Sequence, residues 1–170
     1  EASDVLGFDE SLRAQVVPNG IATSFLQVCD DAPISGDLSQ GDDLVIGFVG
    51  ALFVHIKGVD LLLEAIAEVQ ADETGRRLRF VFVGPIPRAD DRRLLKQLVS
   101  RVVDPTRISF VGPRHGMEKI SALKSFDVVV LPSRTEGMPR VILEAMACGK
   151  PCLVSQPTGM AGVVEQHQCG

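Results

Sequence analysis

No basic stripe runs along this sequence. Its 17 Lys and Arg stand against 22 Asp and Glu, a formal net charge of -5, whereas a nucleic-acid footprint needs the opposite balance on at least one face. Long apolar runs are missing too: the longest, Leu44 to Val54, contains two glycines and falls well short of the roughly 20 residues that cross a bilayer. The opening Glu1-Ala2-Ser3-Asp4 lacks the basic start and apolar core of a secretory signal, so a cytoplasmic location is expected. Cysteine and histidine are sparse. Cys29, Cys148, Cys152 and Cys169 lack the paired short spacing of a zinc site, and His55, His115 and His167 are scattered, so no metal is expected. Cys148 and Cys152 read as small apolar residues at a helix end and a strand start, with all four thiols reduced. Internal repeats, low-complexity tracts and coiled-coil heptads are also absent.

What is present suits one globular domain with a real core: 45% of the 170 residues are hydrophobic and 23% charged,. Apolar runs at Leu44–Val49, Leu78–Val83, Ile108–Val111, Asp127–Leu131 and Cys152–Ser155 are nearly continuous, as strands buried on both faces should be. Between them, Val59, Leu62, Leu63, Ile66 and Val69 repeat at helical spacing, as do Leu94, Leu95, Leu98, Val99 and Val102,. Met117, Ile120 and Leu123 mark a third helix, Val141 to Ala147 a fourth, and Ala161 to His167 the start of a fifth. This alternation predicts an α/β fold with a parallel, doubly wound sheet. Val16-Val17 before Pro18-Asn19-Gly20 is a candidate further strand, Asp30 to Asp43 is a turn-rich connection, and the first 40 residues read as a lead-in segment,.

Three strands run into glycine: Gly50, Gly84 and Gly112. The carboxyl ends of parallel strands share the rim where ligands bind, and a residue without Cβ lets a ligand approach the backbone; glycine also simply makes turns.

The most informative stretch is Leu131 to Pro151, LPSRTEGMPRVILEAMACGKP. Pro139 suits a first helical position, Gly149 suits the residue just past the helix, and Pro151 prevents continuation. The N-terminus of the helix so delimited faces the rim, where its unpaired N–H groups and positive dipole end attract an anion such as a diphosphate. Glu144 is a lone carboxylate in an otherwise apolar helix, and burial demands hydrogen-bond partners for it. Vicinal ribose hydroxyls would supply two; a salt bridge to Arg140 is the equal alternative, in the weaker orientation for such a pair. Glu136 lies eight residues earlier, placing both carboxylates along one groove if the chain enters the helix smoothly. Paired carboxylates also serve glycosidases, but Glu144 inside the helix is poorly placed for a scissile bond. Lys57, before Gly58 and an amphipathic helix, is a credible phosphate ligand. His55 and His115 read as ordinary loop histidines without an orienting neighbour.

The spacing of Glu136 and Glu144 within that stretch resembles the two-glutamate signature of retaining family-4 glycosyltransferases. The resemblance extends to VVPNG at Val16 to Gly20 with Phe25, and to FVG at Phe48 to Gly50 followed by Lys57-Gly58-Val59-Asp60. It implies a Rossmann-like domain, one half of a two-domain GT-B architecture, with residues 1–14 as linker or remnant lead-in. Residues 15–170 would form the donor-binding domain, cut short at its C-terminal end. It implies that Lys57 contacts the donor diphosphate, that Glu144 holds the ribose, and that Glu136 with Gly137 and Met138 serves the transferred sugar and its phosphates. Lys57 and Glu136 are the implied catalytic residues, and Gly50, Ser133, Arg134 and Pro139 complete the implied donor site. One departure is Ala51, where the family usually has an arginine after the glycine that ends the phosphate-binding strand; Arg134 or Arg114 is a candidate substitute.

The expected activity is transfer of a sugar from a nucleoside-diphosphate sugar to a saccharide or lipid, with retention, no cofactor and no metal. Asp30-Asp31, Asp42-Asp43 and Asp90-Asp91 read as solvated loops or helix starts rather than metal ligands. The implied partner is an acceptor-binding N-terminal domain outside this chain; the full-length enzyme could associate peripherally with the cytoplasmic membrane face. Two rivals stay open: a nucleotide-sugar epimerase of similar architecture, and a non-catalytic nucleotide-binding module, which Ala51 would suit.

Overall fold

A computed structural model describes residues 17–38, 43–71 and 78–170. Helix α1 spans Thr23–Asp31, followed by β1 (Leu44–Val49), α2 (Val59–Ala71), β2 (Leu78–Val83), α3 (Ala89–Val99) and β3 (Ile108–Gly112). Then come α4 (Gly116–Ser125), β4 (Val128–Leu131), α5 (Arg140–Ala147), β5 (Cys152–Val154) and α6 (Ala161–Gln166). The strands form one parallel sheet in the order β3-β2-β1-β4-β5. β1 is central, and the winding reverses between it and β4.

That reversal follows from right-handed crossovers. Once β2 and β3 have extended the sheet to one side of β1, the next strand must pass to the other side, and its helices cover the opposite face. Accordingly α2 packs on α3, while α1, α4 and α5 pack on one another. The core is the continuous apolar filling between these layers: Val45, Phe48 and Val49 of β1, Phe80 to Val83 of β2, Leu63 and Ile66 of α2, Leu123 of α4 and Ile142 of α5 are all buried. Phe82 links Phe48, with ring centroids 5.8 Å apart, to Phe110 of edge strand β3 at 4.8 Å.

The lead-in differs from expectation in one respect. Thr23–Asp31 is a helix, docked by Cys29 and Ala32 against Ile120, with Phe25 and Val28 beside them. Cys29 Sγ lies 3.0 Å from Cys148 Sγ at the end of α5, and Lys124 Nζ donates to the Cys29 carbonyl at 2.8 Å. Asp30 and Asp31 therefore end a helix rather than sit in a loop, whereas Asp90 and Asp91 open α3 as expected. Burial pushes the Cys148 thiol up to about 12, with the adjacent Cys29 acting in the same direction,. Val17 is exposed and lies in no strand; Val16, residues 1–14 and Asp42 lie outside the described residues.

At the carboxyl ends of the strands, Gly50, Gly84 and Gly112 stand as expected. Gly84, however, serves a backbone contact, because a Cβ there would sit 1.9 Å from the Gly50 carbonyl oxygen.

Candidate functional site

The rim of the sheet opens into a cavity of about 390 Å³. Gly50 and Ala51 after β1, Gly84 and Pro85 after β2, and Pro113, Arg114 and His115 after β3 form one wall; Lys119 of α4 and Arg140, Val141 and Glu144 of α5 face them. This is the crevice beside the switch between β1 and β4, where an open α/β sheet offers the ends of its strands and the start of a helix to a ligand. Arg114, Lys119 and Arg140 give the cavity positive charge, opposed on its lining by Glu144 alone.

Pro139 caps α5, whose first helical residue is Arg140, one position later than expected, and helix ends are defined no more finely than that. The first turn of α5 meets the cavity through Arg140 and Val141. Glu144 follows on the same face and is 5% exposed. Its partner is Lys119, whose Nζ donates to Glu144 Oε1 at 2.7 Å. The pairing with Arg140 is not made. Arg140 is exposed, while the shorter path from α4 brings an ammonium directly onto the buried carboxylate. A lysine 25 residues away in the sequence carries no local signal of this contact.

Lys57 and Glu136 meet as an ion pair, both largely buried. The β1–α2 loop is braced within itself and tied to the loops after β2 and β4 to bring this about. The Leu52 N–H donates to Pro85 O at 2.8 Å, the Lys57 N–H to Phe53 O at 2.9 Å, and the Arg134 N–H to Ile56 O at 3.0 Å. Arg134 also clamps the first loop with its side chain, donating to His55 O at 2.6 Å and to Asp60 Oδ1 at 2.7 Å. Burial alone would raise the Asp60 pKa, but the Arg134 guanidinium and the Leu61 N–H outweigh it and hold the carboxyl below its ordinary value,. Burial also holds the Lys57 ammonium below the usual lysine value, a tendency that the adjacent Glu136 carboxylate opposes.

The shared groove for the two glutamates does not form as expected. Glu144 lines the cavity, but Glu136 is absent from its wall. The chain does not run smoothly into α5, because Glu136 first bridges to Thr158, its carbonyl accepting the Gly159 N–H at 3.0 Å. Ser133 is fully buried, with its hydroxyl unpartnered, and does not line the cavity. Gly137 is exposed. Met138 is tied to the lead-in: Asn19 Nδ2 donates to its carbonyl at 2.8 Å and the Asn19 N–H to its sulfur at 3.0 Å.

Of the two candidate replacements for the arginine absent at Ala51, Arg134 is committed to Asp60, and Arg114 stands on the cavity wall. Arg114 is held from behind by Ser35 Oγ at 3.0 Å and Asp37 Oδ2 at 2.5 Å. The hydrogen bond from Arg114, with a second from Ser35, keeps the Asp37 carboxyl below its usual range. His115, read as an ordinary loop histidine, lines the cavity, and His55 Nδ1 lies 3.7 Å from Asp60 Oδ2. Proximity to the rim, which a linear sequence does not display, is what identifies His115 and Lys119 and favours Arg114 over Arg134. Among the described residues, no group of three or more His, Cys, Asp or Glu is arranged to hold a metal ion, and no helix is long and apolar enough to cross a membrane.

A doubly wound parallel sheet, with a crevice at its switch point lined by Arg114, Lys119, Arg140 and Glu144, defines an α/β domain of the open-sheet class,. The family described as "Glycosyl transferases group 1" matches residues 43–170, and the chain belongs to it. It is 32% identical over 163 residues to the D-inositol 3-phosphate glycosyltransferase of Stackebrandtia nassauensis, an alignment covering 93% of this chain and 37% of that protein. Two solved structures share the fold: WaaG, a glycosyltransferase involved in lipopolysaccharide biosynthesis, and Anabaena HepE in complex with UDP-glucose. WaaG superposes with a TM-score of 0.66 at 22% identity, over 89% of this chain and 37% of WaaG. HepE gives 0.65 at 24% identity, over 85% of this chain and 37% of HepE. The chain thus spans little more than a third of the length of these proteins.

Proposed function

We propose that this chain binds the nucleoside-diphosphate sugar of a retaining, metal-independent glycosyltransferase, and that the acceptor is held by residues outside it. The observation that carries this reading is Glu144: a buried carboxylate lining a positively charged cavity beside the first turn of α5. Glu144 accepts the ribose hydroxyls, the diphosphate lies toward the start of α5 and Lys57, and Arg114 on the cavity wall supplies charge that Ala51 does not. Glu136 serves the transferred sugar with the Gly137 and Met138 backbone. Lys57 and the helix N-terminus neutralise the departing diphosphate as charge develops on it, the role a metal plays in other transferases. The similarity to a D-inositol 3-phosphate glycosyltransferase and the UDP-glucose complex of HepE support a sugar nucleotide as the ligand.

The test is calorimetric titration with uridine, guanosine and adenosine diphosphates and their glucose conjugates, with and without EDTA. One nucleotide series should bind, with the same affinity in chelator, because lysine, arginine and backbone N–H groups supply the positive potential. Affinity that collapses in EDTA and returns with magnesium or manganese overturns metal independence. Failure of every nucleotide to bind overturns the donor site itself. A second expectation concerns turnover: the 170 residues alone should bind donor yet not transfer sugar, since acceptor positioning accounts for about 7 to 11 kcal/mol of such a barrier. Release of nucleoside diphosphate with formation of a glycosylated acceptor, assayed for the chain and for the full-length protein, decides it. Full-length rates from the 170 residues would place the acceptor site within them, whereas interconversion of donor epimers without nucleotide release would favour an epimerase.

A further inference from the structure

The Lys119–Glu144 pair leaves the carboxylate half-satisfied. Lys119 Nζ occupies Oε1 at 2.7 Å, and Oε2 takes no hydrogen bond from the described residues. Glu144 is 5% exposed on a wall it shares with Lys119, and the Lys119 side chain is 28% exposed. A second cavity, of about 510 Å³ between α1 and α4, is also bounded by Lys119 and Glu144, and its remaining wall is mostly apolar, with Phe25, Val28, Met117 and Ile120. The ion pair is therefore the partition between two spaces. Without Lys119, the carboxylate would face an apolar recess on one side, where an ionised group is poorly solvated. It could then turn away from the strand ends.

We propose that Lys119 is a positioning residue for nucleotide recognition: it holds Glu144 in one rotamer, so that Oε2 is presented to the ribose hydroxyls. This rests on the assignment of Glu144 to the ribose given above. Lys119 itself needs no contact with the donor. Its ammonium satisfies one oxygen and turns the other toward the ligand, as an outer hydrogen bond fixes a coordinating side chain at a metal.

Selectivity between ribose and deoxyribose tests this without relying on turnover. In the full-length protein, affinity is measured for whichever of uridine, guanosine or adenosine diphosphate binds tightest, and for its 2′,3′-dideoxy counterpart. The unaltered protein should prefer the ribonucleotide by about ten- to a hundredfold, the value of hydrogen bonds to a charged acceptor. Lys119→Met should lose most of that preference, weakening the ribonucleotide by about ten- to a hundredfold more than the dideoxynucleotide, which loses only the lysine's share of the cavity's positive charge. Lys119→Arg, which restores a cation of similar reach, should recover most of the preference. Glu144→Gln, which keeps shape and removes charge, reports on the underlying assignment.

Equal weakening of both nucleotides by Lys119→Met overturns the proposal, because the lysine then acts on the phosphates or on folding. A full ribonucleotide preference in Lys119→Met, with that preference abolished in Glu144→Gln, likewise overturns it and leaves the ribose assignment standing. A preference that survives Glu144→Gln overturns the ribose assignment and the role of Lys119 with it.

Discussion

Lys57→Ala in the full-length protein is expected to lower the turnover of sugar transfer by about 10² to 10³, the cost of removing one preorganised donor from a site of developing negative charge. Donor affinity should fall much less. The reason lies in how Lys57 is held. Its ammonium is largely buried against Glu136, on a loop fastened to the β4–α5 loop by Arg134, so it is held in one place, and in the role proposed for it no reorganisation is needed as charge develops on the diphosphate. Removing it also leaves Glu136 without its partner, so Lys57→Ala and Glu136→Gln should combine less than additively. The pH profile supplies an independent check. Burial lowers the Lys57 pKa from the ordinary 10.5; the charged form is then lost at lower pH than in a free lysine, and turnover should decline as pH rises through that lowered value. Lys57→Arg should move the decline beyond the accessible range, because a guanidinium stays charged. Wild-type turnover in Lys57→Ala, or an alkaline limb unmoved by Lys57→Arg, would remove Lys57 from the mechanism.

The parts of this molecule legible in the sequence are those governed by local pattern. β1 and β2 begin and end at the residues expected of them, because a strand buried on both faces writes itself as an unbroken apolar run. α5 differs from expectation only at its first residue. Helix α1 was not legible for a physical reason. It opens at Ala22 without a side-chain cap and ends in Asp30-Asp31, where a negative charge opposes the helix dipole,. It stands instead on tertiary contacts of Phe25, Val28 and Cys29 with α4 and α5. The site divides in the same way. Glu144 was conspicuous as a carboxylate among apolar neighbours, and Lys57 by its place after a glycine-ended strand. Lys119 was not, because a cation on an amphipathic helix reads as solvated until the fold shows what faces it, and Arg114 stood only as one of two candidates until the fold placed it on the cavity wall. The even choice left between a ribose partner and Arg140 for Glu144 has a physical basis too: helical spacing presents Arg140, whereas the contact comes from another element.

Gly58→Ala is expected to destabilise the protein by about 2 to 5 kcal/mol, combining the cost of a side chain in the left-handed region with the overlap it creates. Gly58 has φ +65°, and a Cβ there would lie 1.9 Å from the Pro132 carbonyl oxygen. The obstacle is backbone, at the end of β4, so no side-chain rotation relieves it. Either the β1–α2 loop or the start of the β4–α5 loop must move. For a domain of this size, the loss corresponds to a fall in Tm of roughly 5 to 20 °C. The displacement also reaches the site, because Lys57 is the preceding residue and the Arg134 N–H bonds to Ile56 O in the same loop. Separating the lysine from Glu136 should therefore depress transfer at temperatures where the variant is still folded. Glycine's two contributions can be distinguished. Gly58→Asn tolerates the left-handed backbone better than alanine does but brings the same Cβ, so it should recover the conformational part of the loss and none of the overlap. Differential scanning calorimetry of the three proteins checks the order, with Gly58→Ala lowest, Gly58→Asn slightly above it and the unaltered chain well above both. A Gly58→Ala protein as stable as the unaltered chain would mean that the loop carrying Lys57 is not pressed against the end of β4, and the preorganisation assigned to that lysine would go with it.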